Sequence, residues 1–230
     1  MAAVNTAVTR QVARWMRVIF FTVRYPFRLL TSRETNVNLT PHLLTAQHWN
    51  RCTMNMNKSD IEPDAGVILV ASANLLDPNF SRSVILLCDH QYDSTFGLVL
   101  NNALPVTMRD VIESTVNWDA PLYRGGPVQE NSLHFIHTIS DLDIGSKPIT
   151  SELFWGGDFE RLSKLIEQGS VDLSQIRFFV GYSGWGEGQL ADEIERDSWY
   201  LINGQNDAIF CDDSPNHWRR VVRTMGDEYE

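Results

Sequence analysis

Basic residues are scarce over most of this 230-residue chain, and acids are nearly absent from the one stretch where bases gather. Residues 1–53 carry seven Arg, no Lys and a single acid, Glu34; residues 54–230 carry 12 basic and 28 acidic side chains, a net charge of −16. Such a surplus repels polyphosphate and argues against direct nucleic-acid binding by residues 57–230. Cysteine is also sparse. Cys52, Cys88 and Cys211 are odd in number, widely spaced and without a CxxC pair. This excludes a disulfide framework and fits free thiols in a reducing, cytoplasmic compartment. No apolar run approaches the roughly 20 residues that span a bilayer as a helix, so no transmembrane segment is expected. Internal repeats and low-complexity stretches are missing too. What is present, 43% apolar and 21% charged residues, is the composition of an ordinary globular domain with ample core.

The chain divides into a basic extension, residues 1–56, and a single domain, residues 57–230. In the extension, Arg10, Arg14, Arg17, Arg24 and Arg28 fall on one face of a helix at about 100° per residue, opposite Trp15, Val18, Ile19 and Val23. A basic amphipathic segment without acids reads as a transit peptide or a membrane-surface helix; a mitochondrial or plastid address is then the alternative to the cytoplasm. Met54 and Met56 stand just before the domain, so the segment equally reads as sequence upstream of a later start.

Within the domain, Gly66–Ser72, Ser83–Asp89 and Phe96–Asn101 read as apolar strands, the last two joined as a hairpin. Asp77-Pro78-Asn79 is a turn. Thr107 caps a short helix through Glu113, and Leu133–Thr138 alternates as a half-buried strand. Asp158 opens a helix that Gly169 closes. Ile176–Val180 is a strand, followed by a glycine-rich loop and a helix over Gln189–Arg196. Trp199–Ile202 and Ala208–Cys211 read as a last hairpin, and Ser214 begins a terminal helix. Strands cluster without βαβ alternation, which indicates an α+β fold.

The stretch Arg177–Trp199 carries most of the candidate chemistry. Gly181-Tyr182-Ser183-Gly184-Trp185 resembles a nucleophile elbow, but Trp185 stands where the closing glycine is required. Glycines at 181, 184, 186 and 188 suggest an anion nest ahead of a helix. No Lys or Arg lies in the loop, Glu187 sits in its middle, and Walker and Rossmann spacings are absent. A neutral or cationic ligand, or a protein docking on Tyr182 and Trp185, suits the charge better. His90, His134 and His137 lack metal-site spacing, and 134 and 137 point to opposite faces of a regular strand. Cys88 and His90 share a face of a regular strand, where an imidazole activates a thiol; buried inert core is the competing account. No catalytic residue, metal or cofactor is assigned.

Asp77-Pro78-Asn79-Phe80, Arg82-Ser83-Val84-Ile85, Gly97-Leu98-Val99-Leu100-Asn101, Gly125-Gly126-Pro127-Val128, Gly181-Tyr182-Ser183-Gly184-Trp185 and Gly188-Gln189-Leu190 occur in this order. The ordered set resembles the YqgE/AlgH family of bacterial proteins from about residue 57 to the end. The resemblance implies a bifurcated, mostly antiparallel β-sheet curled into a pseudo-barrel with flanking helices. It implies no established reaction; some members carry the label of transcriptional regulator without a DNA-binding module. Asp89 stands where the family usually has Glu, and Ser183 where Ala is common. The expected function is a non-enzymatic binding or regulatory domain. Its ligand or partner surface comprises Arg82, Asn101, Arg124, Gly125, Gly126, Tyr182, Ser183, Gly184, Trp185 and Gln189, with an unidentified protein or small molecule as partner. The alternative is a small-molecule or phosphate-ester hydrolase using the same groove.

Overall fold

A computed structural model describes residues 61–112, 118–211 and 214–226. The basic extension lies outside the described residues. Ten strands form one sheet, and the eleven-residue strand β9 (Ile176–Gly186) is its hub. In order from one edge run β10 (Trp199–Asn203), β1 (Val67–Ala71), β2 (Val84–His90), β3 (Ser94–Val99), β9, β6 (Val128–His137), β8 (Phe154–Trp155) and β7 (Lys147–Pro148). All these neighbours are antiparallel. Two further strands, β4 (Ala103–Thr107) and β5 (Pro121–Arg124), branch off, and β5 pairs in parallel with the first half of β9.

The branch explains the length of β9. Along one side its second half pairs with β3, Gly97 opposite Ser183, while its first half pairs with β5, Tyr123 opposite Phe179. Along the other side it keeps β6. The sheet therefore forks where β3 and β5 part. Side chains alternate across a strand, so the fork sorts the core into three bodies. Phe179, Leu98, Leu86, Ile68 and Ile136 fill the inside of the curl. Phe178, Phe135, Trp118 and Leu162 pack outside one arm, under helix α2 (Phe159–Glu167). Trp185, Trp199, Leu69 and Ile85 pack outside the other, under α3 (Gln189–Glu195). Helix α5 (Ser214–Met225) lays Val221 and Val222 against the inner core, and the Trp218 indole N–H donates to Ala71 O at 2.7 Å.

Local chemistry sets the boundaries. The Asp158 carboxylate accepts from Arg161 N–H at the start of α2, and Gly169, at φ 68°, follows its end. Two segments differ from the sequence expectation. Residues 181–186 are strand and not loop, because β3 and β6 claim their backbone. Trp199–Asn203 forms no hairpin with 208–211; it pairs with β1, and Asn206–Ile209 is a helical turn, α4. The short helix after Thr107, α1, spans Met108–Val111. Among the described residues, no helix is long and apolar enough to cross a membrane.

Candidate functional site

The residues singled out by sequence occupy four places. The first is the fork. Gly125 N–H donates to Val180 O (2.8 Å), and Gly125 O accepts from Val99 N–H (2.9 Å) and from Ser183 Oγ (3.1 Å). A Cβ on Gly125 would stand 2.3 Å from Gly181 O, and one on Gly126 2.3 Å from the Tyr182 carbonyl. Two backbones thus cross in contact, and only glycine permits it. Ser183 is 0% exposed and spends its hydroxyl on that crossing. Gly184 is exposed on the same strand, on the face that carries Tyr182.

The second place is a staple. Asn101 Nδ2 donates to Arg82 O and Val84 N–H donates to Asn101 Oδ1, both at 2.9 Å. The amide stands in for a backbone neighbour at the start of β2. Arg82 itself is exposed, with its guanidinium 5.8 Å from the Trp218 ring. Arg124, elsewhere, pairs with Glu130 through Nε and Nη2.

Sequence reasoning missed the organiser of the third place. Trp185 is 4% exposed, and its indole N–H donates to Glu193 Oε2 at 2.9 Å. Trp199 donates to the same oxygen at 2.8 Å, and Gln189 Nε2 to Glu193 Oε1 at 3.0 Å. Phe80 packs on both indoles. The Glu193 carboxylate therefore latches α3 to the sheet. A Trp–Trp pair with an acid eight residues after the first Trp is a faint signal, legible only once β9 and β10 are known to flank one helix.

The fourth place is where Tyr182 leads. Tyr182 and Trp185 sit on opposite faces of β9, so no single surface holds both. Tyr182 packs against Phe96 (4.8 Å between centroids) and His134 (5.7 Å), and Phe96 stacks on Trp155 (4.4 Å). Lys147 Nζ lies 5.9 Å from the Trp155 centroid and 2.8 Å from Asp89 Oδ2. Asp89, Phe96, Tyr182, His134, Trp155 and Lys147 come from β2, β3, β9, β6, β8 and β7, six successive strands of the sheet. The ion pair joins the first to the last, so these side chains ring one mouth of the curled sheet. All six are partly or largely exposed.

Electrostatics at the mouth favour neutral or cationic groups. Burial pushes the His134 imidazole down to about 4, so it is neutral at pH 7, and Ser132 Oγ lies 2.9 Å from its Nε2. Burial raises the Asp89 carboxyl, but hydrogen bonds from Lys147 and Gln91 outweigh it and hold the group below its usual range. His137 faces away, 2.7 Å from Ser146 Oγ, and burial lowers its pKa as well. Cys88 is fully buried, with its thiol toward Leu86 O; burial and the adjacent Asp89 charge push it far above the ordinary thiol range. A register shift between Leu87 and Asp89 breaks the regular strand on which Cys88 and His90 would share a face. His90 Nδ1 instead meets Thr95 Oγ1 at 2.7 Å. Among the described residues no three His, Cys, Asp or Glu gather to hold a metal. A cavity of 460 Å³ lined by Glu62, Asp64, Gly66, Thr150 and Asn203 touches none of the residues singled out by sequence.

A family model described as AlgH-like matches residues 68–230. The chain belongs to the AlgH-like family. The YqgE/AlgH resemblance of its motifs is thereby established, and the curled α+β sheet is that of its structural neighbours. A UPF0301 protein of Chlorobaculum parvum is 43% identical over 165 residues, 72% of this chain and 88% of its own length. A UPF0301 protein of Cytophaga hutchinsonii is 39% identical over 166 residues, covering 72% and 91%. A crystal structure from Corynebacterium diphtheriae superimposes with a TM-score of 0.62 at 27% identity, over 73% of this chain and 90% of that one. The solution structure of AlgH from Pseudomonas aeruginosa gives 0.60 at 21% identity, over 74% and 93%, and speaks to the fold alone.

Proposed function

We propose that this AlgH-like protein is a non-enzymatic binding and regulatory domain of the bacterial cytoplasm, and that its recognition surface is the aromatic mouth around Tyr182. One observation carries the reading. The two side chains best suited to nucleophilic chemistry, Ser183 and Cys88, are buried and turned to backbone carbonyls, whereas Tyr182, next to Ser183, reaches a partly exposed cluster of π faces. A nucleophile needs a base within hydrogen-bond reach and an approach path for substrate. The net charge of −16 on residues 54–230 favours a protein or small molecule over nucleic acid as the partner. Arg82, Asn101, Gly125, Gly126, Ser183, Trp185 and Gln189 then serve to hold the mouth in place, through the fork, the staple and the latch, while Arg124, paired with Glu130, and the exposed Gly184 stand outside them.

The test is turnover. The full-length protein is assayed with p-nitrophenyl acetate and p-nitrophenyl phosphate beside folded Ser183→Ala and Cys88→Ala variants. The expected result is the same background hydrolysis in all three. Turnover that vanishes in either variant would overturn the reading in favour of the hydrolase.

A further inference from the structure

Lys147 behaves at the mouth as a ligand would. Its ammonium is 2.8 Å from Asp89 Oδ2 and 5.9 Å from the Trp155 centroid, the two contacts by which a carboxylate and an indole face hold a cation. Yet the side chain is 51% exposed, and an exposed ion pair favours its closed geometry by no more than about fivefold. The seat is built by five strands that do not include β7; the cation that fills it is on loan from the edge of the sheet.

Resting on the binding reading above, we propose that the mouth binds the lysine side chain of a partner polypeptide in the place now taken by Lys147. Three observations select that ligand. Phe96 fills the centre, with ring centroids 4.4 Å from Trp155, 4.8 Å from Tyr182 and 5.3 Å from His134. Only a slender chain lying along the rim fits. Asp89 presents Oδ2 to the cation, while Oδ1 already accepts from Gln91 Nε2 at 3.2 Å. A point-charge ammonium is satisfied by one oxygen, whereas a guanidinium fork wants two. Finally, His134 is uncharged at pH 7, so nothing but Lys147 opposes an incoming cation within the ring.

The experiment follows the Trp155 indole N–H in ¹H–¹⁵N spectra of the full-length protein, the peak being assigned with Trp155→Phe. Acetyl-Gly-Lys-Gly-amide is titrated beside the norleucine and arginine analogues. The indole peaks of Trp185 and Trp199, tied to Glu193, report that each variant is folded. Weak binding of the lysine peptide is expected, about two- to fivefold tighter in Lys147→Ala, which removes the competitor, and at least about threefold weaker in Asp89→Asn. Equal shifts with norleucine would overturn the lysine assignment and leave the mouth as an apolar binding surface. Absence of any shift in folded Lys147→Ala would overturn the assignment and the mouth together, while the turnover test stands apart.

Discussion

Glu193 shows how one side chain outranks a motif. Two indole N–H groups, one from each of β9 and β10, converge on its Oε2. Glu193→Ala leaves both donors without an acceptor in a largely buried seam, and an unsatisfied buried donor costs about 1–3 kcal/mol. A loss of about 2–3 kcal/mol by urea unfolding is expected, with Glu193→Gln less harmful because one acceptor oxygen stays. Ser183→Ala removes only a hydroxyl-to-carbonyl bond, worth about 1 kcal/mol. His134 supplies the pH dependence. Its folded-state value is about 4 against an ordinary 6.5, so between those values the unfolded chain binds a proton that the native state refuses. Stability therefore falls as pH drops through that window and levels off below it, by up to about 3 kcal/mol. His137 acts with the same sign, and Asp89 adds its own loss only at lower pH, as its depressed carboxyl is protonated. Subtracting the unfolding free energies of His134→Gln from the parent across pH 4–7 isolates the step; a flat difference would refute it.

At the scale of elements, the fork in β9 decides the architecture. Gly126 is at φ 155°, and its Cβ would lie 2.3 Å from Tyr182 backbone atoms; Gly186 has nothing within 4 Å of its Cβ. Gly126→Ala is expected to cost more than about 3 kcal/mol, since backbone must move. Gly186→Ala should stay within about 1 kcal/mol of the parent, and thermal unfolding of the pair measures both. Equal effects would mean that the crossing is not what the glycines serve. Continuous apolar runs announce β1, β2 and β3, which are buried on both faces, and periodicity announces β6, α2 and α5, each of which buries one face. It could not announce the fork. A glycine that lets two strands cross looks in one dimension like a glycine that turns a loop, and the distinction rests on Val180 and Gly125, 55 positions apart. The mouth is illegible for the same reason, its six side chains being gathered from six strands; Asp89, His134 and Tyr182 stand out in the sequence for unrelated reasons, and the docking surface read from it pairs Tyr182 with Trp185, which the strand puts on the other face.

For the whole molecule the question is what holds the C-terminal cap on the open side of a curled sheet. Arg177, the first basic residue of the apolar run RFFV, is 4% exposed. Nη1 donates to Ile209 O at 2.6 Å and Nη2 to Cys211 O at 2.8 Å, and Leu100 O lies 3.4 Å from Nη1. The guanidinium sits 4.5 Å from the Tyr123 ring and 5.7 Å from that of Phe210. A fork of fixed donors spans the two carbonyls that lead from β10 into α5, which a single ammonium does not match. The hub strand thus grips the segment that delivers Val221, Val222 and Trp218 to the inner core. Arg177→Met strips three carbonyls of a donor and is expected to cost about 3–5 kcal/mol; Arg177→Lys recovers only part. The distinguishing readout is where the loss appears. If Arg177 couples the cap to the sheet, hydrogen exchange in Arg177→Lys accelerates first over Ser214–Met225 while β2 and β3 keep their protection. Uniform acceleration over all strands would instead make Arg177 an ordinary core residue, with the cap held by Trp218 and its valines alone.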